Sequence, residues 1–215
     1  MSRKPFEVLR APIGPDEFRL LLPEFSEAYV DAYKGAPRFD DTTTPEEAGE
    51  YLLPFSYQPD FTVFAAVDSR ERIIGAQILF FLHFDYLEEI RGKELRSFAE
   101  GLGTNYHGVI WEQEYFVKRE YQGQGIARRL GQLAHRYIQA QHRSITVVRR
   151  IRDDNLASIT VAETAQLTRS GVSGISEATE TAPEATFEFW HKPITDEKTT
   201  IWLSKEAVLS HASGR

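Results

Sequence analysis

Two glycines, Gly123 and Gly125, lie where a predicted strand is followed by a predicted helix. At such a junction the free N–H groups of the first helical turn and the positive end of the helix dipole point to one place. That arrangement suits a phosphate group, so the segment predicts a phosphate-bearing ligand. Two carboxylates, Glu112 and Glu114, precede the glycines on the strand and would face the same side if the strand is regular.

Three other interpretations of the glycine turn differ in what they require of the residues around it. A nucleoside-triphosphate loop requires Lys-Ser or Lys-Thr after its last glycine, but Ile126 and Ala127 follow here. A dinucleotide-binding turn requires a third glycine where this chain has Arg128, and it normally opens the first strand–helix–strand unit. A turn in which glycine only supplies unusual backbone dihedrals stays open as the plain structural alternative.

The remaining reactive side chains predict little further chemistry. The chain has no cysteine, which excludes a thiolate nucleophile and a disulfide framework. Its six histidines show no H-E-x-x-H or paired metal spacing, so no metal site is predicted. His135 and His142 fall near a helix end, where we expect them on the surface.

Composition narrows the class of protein. The 215 residues carry a net charge of −7, and no basic stripe with interleaved aromatic residues is visible, which disfavours nucleic acid as a partner. The apolar stretch at 73–84 is interrupted by polar residues and is too short to span a bilayer. The first six residues have no apolar run behind their charges, so we expect no signal peptide, no membrane partner and a cytoplasmic location.

Hydrophobic periodicity predicts the elements that position these residues. Strands are predicted at 6–11, 61–67, 72–84, 109–118 and 144–149, with a closing hairpin at 186–191 and 199–204. Helices are predicted at 15–35, after an N-cap at Thr44, and at 85–102, 124–141 and about 153–167, with a mobile loop at 168–183. This order predicts an α/β (α+β) fold, a mixed sheet with helices on both faces. We expect one domain over 1–215, with a helical insert at about 85–108.

The segment V-K-R-E-Y-Q-G-Q-G-I-A at 117–127 resembles the acetyl-CoA-binding segment of the GNAT superfamily of N-acetyltransferases. Gln122, Gly125 and Ala127 match the family pattern of arginine or glutamine, two residues, glycine, one residue, then glycine or alanine. A second match lies downstream, where Asn155 opens a predicted helix. The resemblance covers most of the chain, and it implies a mostly antiparallel central sheet.

The resemblance also implies how acetyl-CoA, as cosubstrate, would bind. Backbone amides at 123–128 would hold its diphosphate, backbone groups at 115–117 would pair with the pantetheine arm and polarise the thioester, and Asn155 would contact the arm. The residues so implicated are Tyr115, Phe116, Val117, Gln122, Gly123, Gln124, Gly125, Ile126, Ala127, Arg128 and Asn155. Arg128 and its neighbour Arg129 could equally be solvated surface.

Transfer of an acetyl group to an amine requires a proton acceptor. A lysine-like amine is mostly charged at pH 7, and deprotonating it costs roughly 4–5 kcal/mol. The resemblance places a base on the strand of Glu112 and Glu114, and Glu114 is favoured because it lies nearer the turn. A bulge in this strand, which the family comparison implies, would put the two glutamates on opposite faces. Solvated surface glutamates are the alternative.

Two features of the resemblance are incomplete or open. The later helix carries Ala162 where many family members have a tyrosine that protonates the thiolate, so a non-catalytic acyl-CoA-binding module is the alternative function. Tyr29 and Tyr33 on the first helix either pack in the core or contact the substrate.

Asp85, Glu88 and Glu89 of the insert favour a cationic amine. The predicted acceptor is an amine on a small molecule or a peptide N-terminus, and a homodimer is possible.

Overall fold

A seven-stranded sheet forms the centre of the computed structural model, which describes residues 5–9, 12–34, 43–86, 93–101, 108–141, 144–176 and 185–195. The strands are β1 Phe6–Val8, β2 Thr62–Asp68, β3 Ile73–His83, β4 Gly108–Val117, β5 Ser144–Arg152, β6 Thr168–Ser176 and β7 Ala185–Thr195. Their order is β1-β2-β3-β4-β5-β7-β6. Only the β4–β5 pair is parallel among these neighbours. The predicted mixed, mostly antiparallel fold is confirmed.

Helices cover both faces of this sheet, as predicted. They are α1 Pro15–Leu20, α2 Leu22–Tyr33, α3 Pro45–Leu52, α4 Lys93–Gly101, α5 Ile126–Gln141 and α6 Leu156–Thr164. On one face α2 and α3 bury Phe25 and Leu52 against the sheet. On the other face α5 buries Leu130 and Ile138. Within the described ranges, no helix is long and apolar enough to cross a membrane.

Local sequence signals account for the helix starts near the site. The helix predicted at 15–35 is divided at Leu21, because Pro23 occupies the first turn of α2 and cannot donate to the preceding turn. Thr44 caps α3 as predicted. Its hydroxyl accepts from Glu47 N (3.3 Å), and the Glu47 carboxylate accepts from Thr44 N (2.7 Å), which completes a capping box.

The C-terminal part of the sheet differs from the prediction. Residues 168–176, expected in a mobile loop, form β6 and pair with β7. The register shifts between Arg169 and Ser173, where Gly171 has a φ of 76°. This irregularity interrupts the alternation of inward and outward side chains by which a strand is predicted from sequence. The strand predicted at 199–204 lies outside the described residues. Of the helix predicted at 85–102, the described residues show helical structure at 84–86 and over Lys93–Gly101, and residues 87–92 lie outside them.

Candidate active site

A bulge in β4 separates the two glutamates. Glu114 pairs with Ile78 and Glu112 with Leu79, which leaves Gln113 as the extra residue. Ile78 belongs to the core under α2, whereas Leu79 belongs to the core under α5. The expectation for a regular strand, with both carboxylates on one face, is therefore wrong, and the bulge expected from the family comparison is present.

Glu114 is held on the α2 side by two tyrosine hydroxyls. Tyr33 donates to its Oε2 (2.9 Å) and Tyr51 donates to its Oε1 (2.6 Å). Burial of the Tyr51 hydroxyl, together with the negative charge of Glu114, raises the pKa of Tyr51 above its ordinary value. Both carboxylate oxygens are thus fixed by neutral donors from α2 and α3.

Glu112 lies on the α5 side in a fully buried ionic cluster. Arg149 approaches its Oε2 through Nη2 (2.5 Å) and Nε (2.7 Å), and Gln77 Nε2 donates to its Oε1 (2.5 Å). His135 Nε2 lies 3.3 Å from the same Oε1. Burial alone would raise the pKa of Glu112, but the charge of Arg149 and the contact with His135 outweigh it and lower that pKa to about 2.

His135 corrects a prediction, because its side chain is only 11% exposed rather than on the surface. Its position on α5 faces the sheet, four residues after the buried Gly131. That helical spacing was the available signal, but a single histidine on a helix does not reveal its partner on another strand.

An opening between β4 and β5 adjoins both glutamates. The two strands are paired from Ile110 and Val147 as far as Glu112 and Arg149. Beyond this point they diverge around a pocket of about 260 Å³. Its lining includes Tyr33, Trp111, Glu112, Gln113, Glu114, Tyr115, Arg149, Arg150, Arg152, Asn155 and Phe187.

The free edge of β4 carries two of the three backbone positions predicted to bind the cosubstrate. Lys118 N donates to Ile74 O on β3 (2.8 Å). Because successive residues of a strand point their backbone groups to alternate edges, Val117 and Tyr115 point theirs away from β3, toward the gap. The backbone of Phe116 instead faces β3. Gln122 Nε2 donates to Val117 O (2.9 Å) and so ties the glycine turn to this edge.

The glycine turn has a backbone conformation that few residues other than glycine adopt. Gly123 and Gly125 have φ values of 73° and 81°, which favour glycine. The first intrahelical bond of α5 is donated by Arg129 N to Gly125 O (3.1 Å). The N–H groups of Ile126, Ala127 and Arg128 therefore precede the helical ladder and have no acceptor within it.

The side chains around the turn have separate roles. Arg128 is exposed at the first turn of α5, beside Gly125 and Gln124. The guanidinium of Arg129 lies 5.0 Å over the ring of Phe6, so it packs on β1. The Tyr115 hydroxyl donates to Ala127 O, which joins β4 to the start of α5.

Asn155 lines the pocket from the start of α6. Its Oδ1 accepts from Ser158 N (3.0 Å), so it is the N-cap of that helix. The capping bond uses only the oxygen, and the Nδ2 donor is the group suited to a ligand. Ala162, at the position of the missing tyrosine, is fully buried in the core under α6.

The predicted site residues are partly brought together. Glu114, Tyr33, Tyr115 and Asn155 share the pocket, whereas Tyr29 is 7% exposed and packs on Tyr33, with ring centroids 4.5 Å apart. In the acidic insert, Asp85 pairs with Arg96 (2.9 Å), and its side chain is 86% exposed. Glu88 and Glu89 lie outside the described residues.

Sequence reasoning missed Tyr51 and the arginines of β5. Tyr51 lies three residues after the buried Ala48 on α3, at the border of the inner face, and it is 42% exposed. Its bond to a strand residue 63 positions away has no local signal. In the part of the chain that the structure describes, no group of three or more His, Asp or Glu side chains is arranged to hold a metal ion.

Comparison with known proteins agrees with this geometry. A model of the acetyltransferase (GNAT) domain matches residues 8–168. The chain therefore belongs to the GNAT family of acetyltransferases, and this membership indicates that it is an acyltransferase. No curated protein sequence matches the chain.

Several solved structures share the fold at low sequence identity. An N-acetyltransferase from Staphylococcus aureus Mu50 is 14% identical, with a TM-score of 0.59 over 89% of this chain and 100% of that one. NAA60 from Arabidopsis thaliana, in complex with a bisubstrate analogue, is 14% identical, with a TM-score of 0.59 over 90% and 100%. A phosphinothricin acetyltransferase from Sinorhizobium meliloti, in complex with AcCoA, has 14% identity and a TM-score of 0.59 over 91% and 90%. At such identities the likeness shows the fold alone.

Proposed function

We propose that the chain is an N-acetyltransferase that moves an acetyl group from acetyl-CoA to a primary amine by direct attack. The observation that carries the proposal is Glu114, a carboxylate oriented by two hydroxyls in the pocket beside the free edge of β4. Such a group suits proton removal from an attacking amine.

The cosubstrate would lie along the gap between β4 and β5. The N–H groups of Ile126, Ala127 and Arg128 would hold the diphosphate, with Gly123, Gln124 and Gly125 shaping the turn. Backbone groups of Tyr115 and Val117 would pair with the pantetheine arm, and Asn155 would donate to it. The positive φ of both glycines supports this assignment, because few other residues adopt that backbone.

In the proposed reaction the amine nitrogen bonds to the acetyl carbon as the carbon–sulfur bond breaks. Glu114 takes the proton that the nitrogen loses, directly or through a water molecule. The electron pair of the broken bond stays on sulfur as thiolate, which then takes up a proton. The chain has no cysteine to carry the acetyl group covalently, in line with direct attack.

Glu112 is assigned a structural part in this proposal. Its carboxylate is saturated by Arg149, Gln77 and His135 on the other face of the sheet. A proton acceptor must have a free lone pair within reach of the amine, which this cluster does not leave. Glu114, whose partners are two hydroxyls that can turn, meets that requirement better.

The test compares Glu114→Gln with wild type in two separate measurements. Turnover, followed as acetyl-CoA-dependent thiol release across a panel of amines, should fall by roughly 100-fold or more. Affinity for coenzyme A, measured by calorimetry, should stay within about twofold, because Glu114 does not contribute to the cradle. Binding without turnover in wild type would instead support the alternative function, a non-catalytic acyl-CoA-binding module.

The acceptor class is an amine on a small molecule or a peptide N-terminus. Among the solved structures that share the fold, one is named a phosphinothricin acetyltransferase and another is bound to a bisubstrate analogue. A homodimer and a cytoplasmic location remain predictions from the sequence.

A further inference from the structure

Three arginines of β5 reach the pocket, and they differ in their partners. Arg149 is neutralised by Glu112, and Arg152 pairs with Asp154 through Nη2 (2.8 Å) and Nε (3.0 Å). Arg150 has no carboxylate partner among the residues that the structure describes. Its guanidinium lies 5.0 Å over the ring of Phe187, a fellow pocket residue.

Arg150 lies on the same side of the sheet as the proposed base. It is paired with Phe189 across β7, and directly opposed strand residues face the same side. Phe189 belongs to the core under α2, the side on which Tyr33 binds Glu114. Arg152, opposite Phe187, lies on this side as well, but it is paired with Asp154. The α2 side of the pocket therefore presents the Glu114 carboxylate and the guanidinium of Arg150.

These two charges are not paired with each other. Glu114 is held by hydroxyls, and Arg150 is placed over an aromatic ring instead of a carboxylate. A pocket wall with separate positive and negative groups complements a ligand that carries both charges. A purely cationic amine would meet repulsion from Arg150.

We propose that the acceptor is a small amine that also bears a carboxylate, an amino-acid-like compound, and that Arg150 binds this carboxylate while the amine faces Glu114. The planar guanidinium forms two parallel hydrogen bonds with a carboxylate, which gives both affinity and orientation. A pocket of about 260 Å³ is of a size for a small molecule. This inference rests on the proposed function.

The experiment uses matched amines with the full chain. Each proteinogenic amino acid is compared with its carboxamide and its decarboxylated amine, with thiol release from acetyl-CoA as the readout. For wild type we expect kcat/KM to favour the carboxylate by about 10- to 100-fold, the size expected for a hydrogen-bonded charge pair. Arg150→Gln should remove that preference through KM for the acceptor, and Arg150→Lys should keep part of it.

A matched control removes the same charge elsewhere. Arg70→Gln, in the turn between β2 and β3, should leave the preference unchanged. Arg150→Glu should reverse the preference toward the decarboxylated amine. If Arg150→Gln instead raises KM for acetyl-CoA and leaves the preference intact, Arg150 serves the phosphates of the cosubstrate and the inference is wrong.

A binding measurement separates this inference from the proposed function. With coenzyme A bound, the amino acids should raise the melting temperature of wild type but not of Arg150→Gln, whether or not turnover occurs. Turnover of amines without any carboxylate preference would overturn the inference and leave the proposed function standing. Absence of both stabilisation and preference across the panel would also overturn it.

Discussion

Replacement of Glu112 by glutamine tests whether the two glutamates of β4 have different roles. The side chain is 1% exposed and its partner Arg149 is 6% exposed, so the substitution leaves a guanidinium buried without its counter-charge. We expect Glu112→Gln to destabilise the fold strongly. Glu114→Gln should lower the free energy of unfolding by only about 1 kcal/mol, because the glutamine amide can still form hydrogen bonds with the two tyrosine hydroxyls that bind Glu114.

The size of the destabilisation expected for Glu112→Gln follows from the lowered pKa of Glu112. A fall from 4.5 to about 2 on folding corresponds to about 3 kcal/mol of stabilisation while the carboxylate is ionised. Breaking a buried ion pair by removing one partner costs a similar roughly 3–5 kcal/mol. Removing both charges in Glu112→Gln/Arg149→Met should recover part of this loss, because no unpaired charge then remains.

The contribution of Glu112 to stability should decrease as the pH falls. Glu112 is ionised more readily in the folded chain than in the unfolded chain, so its contribution is complete above about pH 4.5 and is lost as the pH falls toward 2. Urea unfolding from pH 7 down to pH 3 should therefore show an acid slope in wild type that is reduced in Glu112→Gln. A loss below about 1 kcal/mol at pH 7, with an unchanged acid slope, would refute the assignment of Glu112 to stability.

Four further substitutions test other parts of the site. Tyr51→Phe and Tyr33→Phe should each lower kcat by about tenfold, because the carboxylate loses one of its two orienting donors, while KM for acetyl-CoA stays constant. Gly123→Ala should weaken coenzyme A binding, measured by calorimetry. The methyl group would meet no atom within 4 Å, but φ is 73° at this position, and holding an alanine in that backbone conformation costs about 1–2 kcal/mol. Gly131→Ala should lower the melting temperature, because its Cβ would lie 2.9 Å from the Tyr115 hydroxyl. In a Tyr115→Phe background that hydroxyl is absent, so the same substitution should raise the melting temperature through the higher helix propensity of alanine.

The sequence predicted the elements near the site because their signals are local. The capping box at Thr44, the turn between β2 and β3, and the periodicity of α5 each depend on residues a few positions apart. The glycine turn was predicted in the same way, from two glycines and the helix that follows. Its positive φ values are what those glycines permit.

The missed residues share a different property, because their partners are distant in the chain. Tyr51 reaches Glu114 across 63 positions, and Arg149 reaches Glu112 across 37. No pattern within one element reveals such a pair. The strand β6 was missed for a related reason, since its bulge breaks the alternation that identifies strands.

The bulge at Gln113 decides which glutamate can do chemistry. If Gln113 were paired as in a regular strand, Glu112 and Glu114 would both face α5, and the second carboxylate would enter a cluster that one arginine already neutralises. One inserted position instead moves Glu114 to the face of Tyr33 and Tyr51. Deleting Gln113 would make Glu112 and Glu114 consecutive, which keeps them on opposite faces. We therefore expect this variant to retain the hydrogen bonds of Tyr33 and Tyr51 to Glu114, and a crystal structure of it with Glu114 on the α5 side would contradict the division of roles.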